Sequence, residues 1–408
     1  MVRSHLTLAA LATAAVPGLE VRASGTLALD GSGDFDSALL RTGTDEDVVV
    51  RIPSNERAAG EQAIELIALQ AMTAGIRSRL PFEVPTVIGQ APASPGRIVV
   101  SKFLPGFHVP AAYIPPGDGV ATSIGGAIAA IHTLPASFVT EIGLPALTAA
   151  QCRNEALNVI ERAASTRRLP AAIRQRWSDA ANDDSLWQFQ PVVVNGTLSA
   201  ESFLITDHEV GPVVSGLVGW SGLRVSDPAR DLHWLSAAPD AADDVFASYR
   251  MSCTRTPDRF IRQRALLHAE LELARWLLHG LDTRNQEVIE DAVGLLDGLV
   301  DSVLGNLSEP INPEADPVLA VGDVETLLKS TPKTTPSTAQ IGMETDTYDF
   351  EEESAVSNET GPIALPEDVL GEDTPESAAN AEGALGTGHP DQEETREIPS
   401  GDAGGSGR

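Results

Sequence analysis

At Leu104-Pro105-Gly106 the hydrophobic pattern of this chain changes period, and what lies on either side narrows the fold sharply. Residues 26–29 and 37–42 alternate as short strands, joined by the turn-rich Asp30-Gly31-Ser32-Gly33-Asp34. Residues 48–52 form an apolar run closed by Pro53. Helix formers then occupy residues 57–74, with Ile64, Ile67 and Ala71 on one face and Gly75 as a stop. Two further strands are expected at residues 84–88 and 97–103. The order β, β, β, α, β, β describes a small antiparallel-sheet lobe with a single helix.

Beyond the crossing the text is helical, with segments at residues 120–134, 149–164 and 171–181. Short β runs at residues 192–194, 203–206 and 213–218 interrupt them. The stripe Leu267, Leu271, Ala274, Leu278, Leu281 then marks a long core-facing helix, and another is expected from about Arg284 to Leu304. After Gly305 periodicity ends in a Pro, Thr, Ser, Gly and Glu-rich text, which predicts a disordered tail in which residues 318–328 and 363–370 are two exceptions suited to transient helices or docking motifs. The expected division is a lobe at 1–105, a helical lobe at 106–306 and a tail at 307–408.

Charge supports that division. The chain of 408 residues has 58 acids against 28 bases, a formal net charge of −30. Residues 307–408 alone carry 23 acids and 4 bases, leaving −11 for the rest. No basic footprint exists for a nucleic acid, whereas the acidic tail suits basic partners. Cys152 and Cys253 have neither zinc nor disulfide spacing, which points to a reducing, cytoplasmic compartment. Arg3 followed by apolar residues 6–16 has signal-peptide length. The same residues also suit a buried helix capped by Ser4 and closed by Pro17-Gly18. No stretch has the apolar length of a membrane span.

Residues 192–205, Val-Val-Val-Asn-Gly-Thr-Leu-Ser-Ala-Glu-Ser-Phe-Leu-Ile, resemble the catalytic loop of the aminoglycoside and macrolide phosphotransferases. That family carries H-G-D-L, three residues and N between apolar strands. Gly216-Leu217-Val218-Gly219-Trp220 is similar to its metal-binding G-V-I-D-W, Ser226-Asp227-Pro228-Ala229-Arg230-Asp231-Leu232 to its G-D-P-x-x-D-L, and Val49-Val50-Arg51-Ile52-Pro53 to its V-L-R-I-P. The resemblance runs in order over about residues 4–306. It implies an α+β, two-lobed protein-kinase-like fold, with a small antiparallel-sheet lobe with one helix, a larger helical lobe and the acidic tail appended.

Phosphoryl transfer needs a carboxylate to take or orient the hydroxyl proton, a carboxylate and an amide to hold magnesium, and a cation to anchor the nucleotide phosphates. By the resemblance, Thr197 stands at the base, Ser202 at the amide, Gly219 at the metal carboxylate and Asn195 at the histidine position. The catalytic set is thus not intact and no metal ligands are expected, so ATP and magnesium are implied by the family but magnesium is opposed by Ser202 and Gly219. Gly196, Trp220, Asp227 and Asp231 persist as a structural frame, and Arg51 persists as a phosphate anchor with Glu61 as its expected partner. Each has a plainer reading: Arg51 as a surface strand residue, Glu61 as a solvated helix residue, Asp227 as an N-cap.

Three functions follow as expectations: a pseudokinase that binds a protein partner or a small molecule, a working ATP-dependent phosphotransferase of a small hydroxylated compound with displaced ligands, or a nucleotide sensor without turnover. Glu201, Asp207 and His208 are the nearest replacement ligands, although Asp207 also suits a turn. Lys102, the only lysine before Lys329, suits an exposed edge, and His132 a packed helix.

Overall fold

The computed structural model describes residues 3–27, 33–209, 211–255, 258–303 and 311. Most of the segment expected to be a tail lies outside the described residues, including both docking motifs. Ile311 lies inside that segment, yet it is buried among the C-terminal helices, so the packed body reaches at least that far.

The chain opens with α1 (His5–Ala15), whose N-cap Ser4 accepts the Thr7 N–H. Leu8, Ala12 and Ala15 of this helix are buried against the sheet beneath it. That sheet contains β1 (Val21–Thr26), β2 (Phe35–Thr42), β3 (Asp47–Pro53), β4 (Val87–Pro92) and β5 (Arg97–Lys102) in the order β1-β2-β3-β5-β4, antiparallel throughout. Between β3 and β4 come α2 (Glu56–Ala71), capped by Asn55, and the single turn α3 (Ala74–Arg77).

The face of α2 that carries Ile64 and Ile67 is not the one that packs. Ile64 and Ile67 are 41% and 44% exposed, and the buried face is instead Ala58, Gln62, Leu66, Ala68 and Leu69. An apolar pair at helical spacing fixes a stripe, but the neighbouring Leu66/Leu69 stripe is the one that meets the sheet and the second lobe.

The helical lobe holds α4 (Val120–His132), α5 (Ser137–Glu141), α6 (Ala149–Ser165), α7 (Ala171–Asn182), α8 (Pro239–Ser252), α9 (Ile261–Asp282) and α10 (Gln286–Val303). Its β insert is β6 (Val192–Val194) paired with β9 (Arg224–Ser226), and β7 (Phe203–His208) paired with β8 (Gly211–Leu217). Sequence pattern missed β9, whose three residues carry no alternation. One core joins α4, α8, the β insert and the last turn of α2, and a separate core joins α6, α7, α9 and α10. The lobes are stitched by backbone bonds between Glu83 and both Ser215 and Leu217, and the loop between β6 and β7 faces the sheet lobe across a shared cleft. No described helix is long and apolar enough to cross a membrane.

Candidate functional site

A cleft of about 260 Å³ lies between the lobes, with Val49, Leu66 and Leu204 among its apolar walls. Arg51, Glu65, Lys102 and Glu201 supply its charges, and Gly219 lies on its lining. Arg51 projects from β3, donates from Nη1 to Glu65 Oε2 at 3.4 Å and lies over the Phe35 ring at 4.1 Å. The other Glu65 oxygen, Oε1, accepts the Trp220 N–H at 3.2 Å. One α2 carboxylate therefore ties the sheet lobe to the segment that follows β8.

The partner expected for Arg51 was Glu61, and this is corrected. Glu61 lies one helical turn earlier, where Arg57 donates to it at 2.7 Å and also pairs with Asp34. The i, i+4 spacing of Arg57 and Glu61 was visible in the sequence and predicts this competing pair. Glu65 is 13% exposed against 44% for Glu61, so it is the carboxylate turned toward the cleft.

The four positions that resemble the family's motif residues, Asn195, Thr197, Ser202 and Gly219, hydrogen-bond locally. Asn195 Nδ2 donates to the Gly219 carbonyl at 2.8 Å, and its Oδ1 accepts from the Thr197 N–H at 3.2 Å and the Thr197 hydroxyl at 3.1 Å. Ser202 Oγ accepts the Ser199 N–H at 3.1 Å and so caps its own short turn. Gly196 has φ of +85°, and a Cβ there would strike the Gly222 carbonyl, so only glycine lets the two loops close on each other. Gly219, at φ +76°, has open space where a side chain would project.

Beneath the loop lies Asp231, with Asp227 nearby on the same short turn. Asp231, fully buried, accepts the Asn195 N–H at 2.8 Å on Oδ2 and the Gly196 N–H at 2.7 Å on Oδ1. His132 Nε2 also meets Oδ2 at 3.2 Å, and His132 Nδ1 meets the Tyr249 hydroxyl at 2.9 Å. The sequence places His132 on a packed helix but gives no sign of this bond, since 99 residues separate the two groups. Asp227 does cap the Ala229 N–H at 2.9 Å, and its Oδ2 also meets Arg264 Nε at 2.9 Å and His268 Nε2 at 3.1 Å. Burial pushes its pKa up, but the Arg264 charge and the His268 hydrogen bond outweigh that and hold it well below the usual carboxylate range. Trp220 is fully buried, with its ring N–H on the Leu217 carbonyl at 3.0 Å.

Lys102 is exposed at the end of β5 and lines the cleft; it is not an edge residue, because β5 lies between β3 and β4 and Lys102 is in register with Val48. Asp207 and His208 lie at the closed end of the β7–β8 hairpin, paired with Pro212 and Gly211, away from the cleft lining. Glu201 does line it. The cleft brings apolar walls together with two cations, Arg51 and Lys102, the groups that a nucleotide's ring and phosphates would meet. The two positions that resemble the family's magnesium ligands do not suit that ion, since Gly219 has no side-chain donor and the Ser202 hydroxyl accepts the Ser199 N–H.

Sheet lobe, hinge crossing, helical lobe and an Asp-supported loop together define the kinase-like fold. The family model for the phosphotransferase enzyme family matches residues 27–256, more than half of the chain, and the chain belongs to that family. Among solved structures it is similar to the macrolide 2'-phosphotransferase MphH from Brachybacterium faecium, at 22% identity over 71% of this chain and 98% of that one, with a TM-score of 0.60. A macrolide 2'-phosphotransferase of type I is 23% identical over 72% and 98%, with a TM-score of 0.57. The GDP complex of an aminoglycoside 2'-phosphotransferase is 16% identical over 72% and 98%, with a TM-score of 0.59. No curated protein matches the chain.

Proposed function

We propose that this protein is a pseudokinase of the phosphotransferase family, holding a nucleotide or a small phosphorylated ligand in the front cleft without efficient transfer. The observation that carries this reading is the bonding of Asn195 to Gly219 and Thr197, in place of a base and a metal carboxylate. Loss of a positioned base lowers rates by roughly 10²–10⁴, and loss of the metal clamp removes stabilisation of the transferring group besides. Arg51 and Lys102 remain to meet phosphate oxygens, which favours ATP or GTP binding that does not depend on magnesium. The reading extends to a cytoplasmic protein without nucleic-acid or membrane partners, whose 307–408 segment meets basic partners through its charge.

The test is calorimetric titration of ATP and GTP with and without magnesium, followed by a transfer assay with erythromycin and kanamycin, compounds of the classes that the similar structures' names suggest. Equal affinities with and without magnesium, weakened by Arg51→Ala, and no transfer are expected. Phosphate transfer abolished by Arg51→Ala overturns the reading. A second reading has one observation behind it: Glu65 and Glu201 are carboxylates in the same cleft. An enzyme with relocated ligands would show magnesium-dependent binding that Glu201→Gln removes.

A further inference from the structure

A second cavity, of about 500 Å³, lies in the helical lobe and shares no lining residue with the front cleft. It is bounded by the end of α4, the segment entering β6 and the junction of α8 and α9. Phe189, Val192 and Ile261 give it an apolar floor, and Gln188, Gln190 and Arg255 give it a polar, exposed rim. Asp258 also lines it, but both its carboxylate oxygens accept from the Arg264 guanidinium, at 2.7 and 2.9 Å. Arg255 makes no ion pair among the described residues, so its charge is the one the cavity presents to a ligand.

The cavity wall also touches the loop frame. Tyr249 and His132 both line it, and from them the chain of bonds runs to Asp231 Oδ2, which accepts the Asn195 N–H. Three side chains thus connect this cavity to the backbone of the altered loop.

We infer that the cavity is an effector site for a small organic anion with an apolar body, and that its occupancy is transmitted to residues 195–196 through Tyr249, His132 and Asp231. Its size lies within the roughly 300–1,000 Å³ of small-molecule sites, and its lining has their composition, apolar with a few placed polar groups. The anionic end meets Arg255, the amides of Gln188 and Gln190 orient it, and the body covers Phe189, Val192 and Ile261. The inference stands whether or not the front cleft binds nucleotide.

The probe is the aromatic sulfonate 1-anilinonaphthalene-8-sulfonate, titrated by fluorescence into the full chain. Saturable binding, about tenfold weaker in Arg255→Ala as for loss of one charged hydrogen bond, unchanged in Lys102→Ala and not displaced by ATP, is expected. Affinity indifferent to Arg255→Ala, or displacement by ATP, overturns the site. For the coupling, saturating dye should slow amide exchange at Asn195 and Gly196 by severalfold in the native chain but not in Tyr249→Phe, which removes only the hydroxyl. Unchanged exchange in the native chain, or slowing that persists in Tyr249→Phe, overturns the coupling.

Discussion

The two sides of the 195–202 loop differ in how much charge they hold. On the buried side, Asp231 and Asp227 are fully buried, and Arg264 and His268 bond to Asp227. On the cleft side the loop carries a single charge, Glu201, and the positions that resemble the family's motif residues, Thr197, Ser202 and Gly219, are neutral. The contrast shows which demands the fold makes and which only chemistry makes. A buried loop whose N–H groups have lost Asp231 leaves unsatisfied donors, each costing about 1–3 kcal/mol. Neutral residues on the cleft side leave nothing buried and uncompensated, so the fold tolerates them.

The largest expected effect breaks the buried side. Arg264 also donates to the Leu186 carbonyl and to Asp258, so Arg264→Leu strands the Asp227 carboxylate in the interior. We expect a loss of about 3–5 kcal/mol, the usual cost of removing one partner of a buried pair, read by urea denaturation. A loss under about 1 kcal/mol would show that the network is ornamental. Acid probes the same region more gently. Burial lowers the His268 pKa to about 4, against about 6.5 in the unfolded chain, and lowers that of His233 as well. The unfolded chain therefore binds protons that the fold refuses, so stability is complete above about pH 6.5 and falls as pH drops toward 4. Asp227 acts lower down: its depressed pKa contributes stability above about pH 4, which is lost as pH falls further. His268→Gln should flatten the slope between pH 6.5 and 4 in a denaturation series.

On the cleft side the same kind of change should be mild. Gly219→Asp enters open space but forces a side chain onto a φ of +76°, a strain of about 1 kcal/mol. Combined with Thr197→Asp it restores two anions to the cleft. We expect that small stability loss together with an increase of about tenfold in ATP affinity that depends on magnesium. If magnesium makes no difference to the double variant, the loop has moved too far from the family geometry for two residues to repair.

How much of this was legible in the sequence depends on range. Most of the strands and the long helices were, because periodicity is a local signal, although β9 was missed and β1, at 21–26, lies upstream of the expected 26–29. Val192-Val193-Val194 became β6 and Asp227 became a cap as read. The α2 face and the Arg51 partner were not. Ile64/Ile67 and Leu66/Leu69 are equally good stripes, and only the second lobe decides between them. The His132 bond to Asp231 and the Glu65 bond to Trp220 span 99 and 155 residues, and no spacing rule reaches that far.

The smallest expected effect separates the two α2 carboxylates. Glu61 and Arg57 form an exposed i, i+4 pair, which is worth about 0.3–0.5 kcal/mol, so Glu61→Ala should hardly change stability or nucleotide affinity. Glu65→Ala removes the acceptor for both Arg51 and the Trp220 N–H in a half-closed cleft, and should cost about 1–3 kcal/mol. It also removes a competing carboxylate from beside Arg51, so nucleotide affinity should hold or rise as stability falls. If Glu61→Ala proves the more damaging of the two, the sheet lobe closes on the other face of α2, and the tie from Arg51 through Glu65 to Trp220 is not what joins the lobes.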